Sequence, residues 1–118
     1  MKKLINPSET TKYMDPCRPT LKILGKKSFD EKEIASIVKK TNALANKIRI
    51  KIIKLLLKNP ELCVCEIEQA LELKQSKVSY HLALLVNGGF INRRQSGPWS
   101  YYTLNHNATA ILQLFDIT

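Results

Sequence analysis

The chain has no uninterrupted apolar run long enough to span a bilayer, so no membrane partner is expected. Its start does not read as an export signal either: Lys2 and Lys3 are followed only by Leu4 and Ile5 before Asn6-Pro7, and a cytoplasmic location is expected. Cysteine is scarce. Three cysteines without such a signal predict reduced thiols rather than a disulfide framework, and leave thiolate chemistry open. No nucleophile-base pair, phosphate-cradling glycine loop or carboxylate pair stands at a meaningful spacing, so an enzyme is not expected. Acidic residues are the other shortage: ten Asp and Glu against nineteen Lys and Arg give a formal charge of +9 over 118 residues. An excess of that size favours a polyanion, because each neutralised phosphate releases condensed counterions. Nucleic acid is the first candidate, although an anionic membrane or solubility alone would also use the charge. The length suits one domain with a modest core, and a hydrophobic fraction of 44% is that of an ordinary globule.

The stretch from Glu61 to Phe90 organises the rest. It reads as two short amphipathic helices joined by a tight turn, with a paired-cysteine step, Cys63-Val64-Cys65, at the mouth of the first. Val64, Ile67 and Leu71 recur at three and four residues and so share a face, the buried one. In the second helix Val78, Leu82 and Leu85 make the inward stripe, which leaves Gln75, Ser76, Lys77, Ser79 and Tyr80 on or near the outer surface of its first turns. A helix that buries its apolar stripe on a partner and presents donors, acceptors and a lysine outward suits reading of the DNA major groove. Helix-turn-helix is the expectation.

Upstream, residues 1–27 carry Pro7, Pro16, Pro19, Gly25 and scattered lysines without an apolar period. They are expected to form an N-terminal extension, partly disordered or docked on a partner subunit, with Cys17 in it. Residues 28–118 are expected to form the DNA-binding and dimerisation domain. Ser28-Phe29-Asp30-Glu31 has the spacing of a capping box and predicts a first helix over 29–42, with Ile34, Ile37 and Val38 at helical spacing. Asn46 can cap a second helix in which Ile48, Ile52, Leu55 and Leu56 form a stripe, while Lys47, Arg49, Lys51, Lys54 and Lys58 face water; Asn59-Pro60 stops it. Asn87-Gly88-Gly89 ends the reading helix through glycine's access to left-handed backbone. Beyond it, residues 90–94 and 100–104 are β-prone around Gln95-Ser96-Gly97-Pro98 and predict a two-stranded hairpin that must pack on the helices. Its basic first strand and its turn can straddle a phosphate backbone or enter the minor groove. Asn105 can cap a last helix in which Ile111, Leu114 and Phe115 face one way. These, with part of the first helix, are candidates for a subunit interface.

This order of elements resembles the arsenic-repressor (ArsR/SmtB) family, as do Leu44-Ala45-Asn46…Arg49, Glu61-Leu62-Cys63-Val64-Cys65-Glu66, Gln75-Ser76-x-Val78-Ser79-x-His81-Leu82 and Tyr101-Tyr102-x-Leu104. The resemblance covers roughly residues 30 to 116, and its motifs are specific in combination. It implies a mainly α fold with a small β-hairpin wing, a homodimeric winged helix-turn-helix repressor of a double-stranded DNA operator whose affinity falls on metal binding. It assigns Gln75, Ser76, Lys77, Ser79 and Tyr80 to DNA, with Arg93 and Arg94 of the wing on phosphates. The two reading helices of the dimer would then enter successive major grooves about one helical turn apart. Two departures stand in the turn, Glu72 where relatives commonly carry glycine and Lys74 in place of a serine-like cap.

On an ideal helix, residues two apart are rotated by about 200°, so Cys63 and Cys65 can share one ion only where the backbone is not yet regular. They fall at the first turn after Pro60, where free N–H groups and the positive end of the dipole are expected to favour thiolate. Two thiolates are soft ligands, suited to As(III), Cd(II), Pb(II) or Zn(II) rather than Mg(II) or Ca(II). In the arsenic-sensing branch a third cysteine often follows three residues after the pair, where this chain has Glu68. In the cadmium-sensing branch ligands come from the other subunit's extension, which offers Cys17, and a three-sulfur site so built suits As(III). The plain alternative is that the pair are small packing residues. His81 is expected to be a hydrogen-bonded packing histidine, His106 to open the last helix without a zinc site, and Trp99 with its neighbouring tyrosines to pack the hairpin. A metal-independent or thiol-redox-switched regulator and a sequence-neutral architectural DNA binder are the rival readings.

Overall fold

The computed structural model describes residues 28–117, and the chain divides between Ile34 and Ala35 into two compact units. The expected extension, 1–27, and Cys17 lie outside the described residues. In the first unit the Asp30 carboxylate accepts the backbone N–H groups of Lys32 and Glu33 at 3.1 and 3.2 Å. Helix α1, Glu31–Leu44, therefore starts on an aspartate cap rather than on a Ser28 capping box, and runs two residues later at each end than predicted.

In the second unit Asn46 caps α2, Lys47–Lys58, as expected, its side-chain oxygen taking the N–H groups of Ile48 and Arg49. The buried face of α2 is Arg49, Ile52, Ile53 and Leu56, an i, i+3, i+4, i+7 set, whereas Ile48 and Leu55 are only half-buried. Arg49 corrects the expectation that it faces water. It is 8% exposed and donates through Nε to Ala43 O at 2.7 Å and through Nη2 to Asn42 O at 3.0 Å. Those carbonyls belong to the last turn of α1, so the negative end of that helix receives the guanidinium.

Helices α3, Val64–Leu71, and α4, Gln75–Asn87, form the helix-turn-helix. Ile67 is fully buried on α3, with Val64 and Leu71 half-buried; Val78, Leu82 and Leu85 are fully buried on α4, which is the stripe the spacing predicts. Glu72 ends α3 in left-handed backbone at φ 55°, ψ 46°, with Leu73 N–H reaching back to Glu68 O, so a residue with a side chain takes the conformation that glycine adopts most readily. At the end of α4 it is Gly89, at φ 83°, that takes the left-handed conformation, while Gly88 stays right-handed. The N–H groups of Gly89 and Phe90 close on Val86 O and Leu85 O, which turns the chain into the sheet.

The hairpin has a third strand the sequence did not disclose. Strand β1, Leu62–Cys63, pairs with β3, Trp99–Leu104, and β3 pairs with β2, Ile91–Ser96, in an antiparallel sheet of order β1-β3-β2. The β2 and β3 strands meet at Gly97-Pro98, with Gly97 at φ 59°. Tyr102, Phe90 and Ile91 join the helical core. The last helix is also shifted: a 3-10 turn, His106–Ala108, precedes α5, Thr109–Leu114, so Ala108 and not Asn105 holds its N-cap position. The Asn105 amide reaches Asn92 Oδ1 on β2. Among the described residues no helix is long and apolar enough to cross a membrane.

Candidate nucleic-acid interface and thiol pair

The first turns of α4 present what the sequence places there: Gln75, Ser76 and Lys77 are exposed, Ser79 is half-buried and Tyr80 stands 61% exposed. Lys74 sits at the N-cap in extended backbone, without a side-chain cap, and its carbonyl receives the N–H groups of Lys77 and Val78. Two lysines thus flank the positive end of the helix dipole. That clustering costs a little stability unless an anion approaches. Behind this face the ring of His81 is buried, its Nδ1 2.9 Å from Nη1 of Arg49, and Tyr80 meets it edge-on at 5.1 Å. Arg49 carries no removable proton at ordinary pH, so it donates and the His81 tautomer keeps its proton on Nε2. Burial, and then the charges of Arg49 and Lys77, hold the His81 pKa below the usual imidazole range. The histidine is a packing residue in a buried hydrogen bond, as expected.

The wing arginines are both engaged within the chain. Arg93 Nη2 donates to Gln95 Oε1 and Ser100 Oγ. Arg94 forms a two-point fork with Glu61, Nε to Oε2 at 3.0 Å and Nη2 to Oε1 at 2.8 Å, and lies over the Tyr101 ring at 4.7 Å. That fork holds the Glu61 carboxyl below the ordinary carboxylate range. The Glu61 contact was not anticipated; the strand that brings it there has no local signature. Trp99 overturns a second expectation. Instead of packing the hairpin it stands 55% exposed as the first residue of β3, directly after the Gly97-Pro98 turn.

Cys63 is the last residue of β1 and the N-cap of α3, with extended backbone (φ −89°, ψ 165°), and Cys65 lies inside the first helical turn. The irregular step brings the two sulfurs to 2.9 Å, both as free thiols, with Cys65 exposed. Glu66 Oε1 takes the Cys63 N–H at 2.9 Å, so Cys-x-x-Glu works as a capping box, which was not anticipated because the usual signature begins with serine or threonine. Ionisation runs against the expectation of a dipole-favoured thiolate. The neighbouring Cys65 thiol, then burial, push the Cys63 pKa up, and the Glu66 backbone N–H offsets only part of this. The site can therefore offer two soft donors, and a ligand must displace a reluctant proton to use them. Among the described residues no group of three or more potential metal ligands occurs, so the pair needs a donor from elsewhere or a ligand satisfied with two sulfurs. His106 is exposed at the start of the 3-10 turn.

A helix-turn-helix flanked by an antiparallel, arginine-bearing hairpin defines a winged helix-turn-helix protein. The sequence profile of the arsR family of bacterial regulatory proteins matches residues 46–93. The arsenical resistance operon repressor of Bacillus subtilis is 41% identical over 66 residues, 56% of this chain and 63% of that protein, so the match spans under two thirds of that relative's length. The solved structure of HlyU from Vibrio cholerae is 39% identical with a TM-score of 0.62, covering 73% of this chain and 94% of that one. A homodimeric winged helix-turn-helix domain from Mycobacterium bovis, 26% identical, has a TM-score of 0.66 over 77% of this chain and 83% of its own. The chain belongs to the arsR family.

Proposed function

We propose that this protein is a sequence-specific DNA-binding repressor that leaves its operator when a thiophilic metal or metalloid is taken up by Cys63 and Cys65. The observation that carries the DNA half is the exposed polar and cationic first turn of α4, set beside a basic wing on a core that fixes both. Gln75, Ser76, Lys77, Ser79 and Tyr80 are the groove-facing set, and Arg93 and Arg94 are the phosphate contacts. The observation that carries the effector half is the sulfur pair at 2.9 Å on the helix leading into the reading helix. Two sulfurs select As(III), Cd(II), Pb(II) or Zn(II) by softness, and the Bacillus subtilis relative, an arsenical resistance operon repressor, favours As(III) among them. Cys17 is the proposed third sulfur.

The functional unit is proposed to be a homodimer, as in the Mycobacterium bovis protein. Support comes from an apolar cleft of about 690 Å³ lined by Ile37, Leu44, Phe90, Ile111, Leu114 and Phe115, with Leu114 77% exposed. A face of that kind is costly in water and is covered economically by its own copy.

The test is a titration of reduced protein onto fluorescent duplexes, its own upstream region and a scrambled control, with and without As(III), Cd(II) and Zn(II). Preference for the upstream duplex, released by one ion in the wild type and not in a Cys63→Ser, Cys65→Ser double variant, supports both halves. Release by peroxide alone would make the thiols a redox switch. Specific binding that nothing disturbs would return them to packing, and equal binding to both duplexes would favour the architectural reading. A transcription assay sets the sign of regulation.

A further inference from the structure

Glu61, Cys63, Tyr101 and Arg94 lie on one side of the small sheet. Tyr101 is the cross-strand partner of both Cys63 on β1 and Arg94 on β2, and residues directly opposite in an antiparallel sheet share a face. Glu61, two residues before Cys63, falls on the same side by the period of a strand, and its carboxylate reaches past the middle strand to grip Arg94. The Nε and Nη2 edge of the guanidinium that would fork onto a phosphate is the edge Glu61 holds. Its charge is neutralised as well. While the pair is closed, Arg94 adds nothing to the counterions that DNA binding releases.

We infer that Glu61 competes with the DNA backbone for Arg94, and that this contact links the thiol pair to the wing. The inference rests on the DNA-binding reading above. The competition is close to balanced, because the two side chains are 56% and 33% exposed and an ion pair so open to water is weakly held. The carrier of Glu61 is equally light: β1 is two residues long, paired through Leu62 with Tyr102 and Cys63 with Tyr101. Closing Cys63 and Cys65 on a shared ligand fixes the segment that positions Glu61. Its displacement by phosphate then becomes harder, and the wing loses a backbone contact when the thiols are occupied.

The experiment is a double-mutant cycle of Glu61→Gln and Arg94→Gln in the full-length protein, read by fluorescence anisotropy on the upstream and scrambled duplexes across a salt series, with thermal melts confirming that each variant is folded. E61Q is expected to bind roughly three- to tenfold more tightly with a log–log salt slope steeper by about 0.9, the value of one added phosphate. R94Q is expected to bind more weakly, and the double variant to match R94Q. Equal or weaker binding by folded E61Q, or a gain that survives in the double variant, overturns the competition. Arsenite is then added: a smaller fold-release from E61Q than from wild type supports the link to the thiols, while equal release, or none from wild type, removes that link. A wild type that treats the two duplexes alike would refute the sequence-specific repressor without touching the cycle, since a phosphate contact is independent of sequence.

Discussion

Arg49 is where the structure makes its sharpest demand on stability. Its guanidinium joins three elements: from α2 itself, Nε holds Ala43 O and Nη2 holds Asn42 O at the end of α1, while Nη1 holds His81 Nδ1 on α4. Arg49→Met keeps most of the apolar stem and removes all three donors. The bonds to Ala43 and His81 are buried and that to Asn42 is partly so. At about 1–3 kcal/mol for each buried acceptor left without a partner, less the relief of no longer burying a charge, the net loss is about 2–4 kcal/mol. That is a large share of the roughly 5–15 kcal/mol that holds a domain together. Urea unfolding followed by far-ultraviolet circular dichroism, at one fixed protein concentration, reads it directly, with the slope against urea unchanged if the unfolded state is the same. Arg49→Lys, whose single ammonium cannot span the three acceptors, should fall between the two. A loss of under about 0.5 kcal/mol in Arg49→Met would refute the account, because it would mean that water or repacking satisfies those groups at no cost.

The same cluster gives a pH dependence. His81 is held below its ordinary value of 6.5, so on acidification the unfolded chain takes the proton first; stability is full above about 6.5 and falls as pH drops from there through the lowered native value. Urea midpoints at pH 7.5, 6.5 and 5.5 should decline in that order, and His81→Gln should flatten the decline. At Gly88 an added methyl group would stand 2.9 Å from Ala43 Cβ and 3.2 Å from Phe90 Cδ2, neither the far end of a flexible chain, so Gly88→Ala should cost about 1–3 kcal/mol in the same assay. Lys77→Ala should weaken binding to the upstream duplex by roughly 1–3 kcal/mol if the lysine reads a base, or lower the salt slope by about one if it meets a phosphate; neither effect would mean that the reading helix is wrongly placed.

The inward stripe of α4 was legible because Val78, Leu82 and Leu85 recur at four and then three residues, and a half-buried helix writes that period into its sequence. On α2 charge misled. Arg49 looks like a residue for water, yet its spacing to Ile52, Ile53 and Leu56 is that of a buried face, and period was the better guide than charge. Strand β1 was invisible, since two residues have no period and are held only by partners some forty positions away. The Glu61 to Arg94 fork depends on that strand, and so does the wing's resting charge. For the thiols, the need for irregular backbone could be argued from helix geometry alone. The direction in which the Cys63 pKa moves could not, because it follows from a sulfur separation that only the folded N-cap fixes.

Cys63 stands at the one position of α3 where a hydroxyl or carboxylate side chain would serve the helix better, since sulfur is a weak acceptor and serine, threonine, aspartate and asparagine are the favoured caps. A serine there would be expected to strengthen the helix by up to about 1 kcal/mol and, on the proposed reading, to silence the response to soft ions. Selection for heat resistance and selection for a working sensor therefore pull this codon in opposite directions. If the proposed reading holds, a chain evolved or engineered for stability alone would lose its response to soft ions while its fold improved.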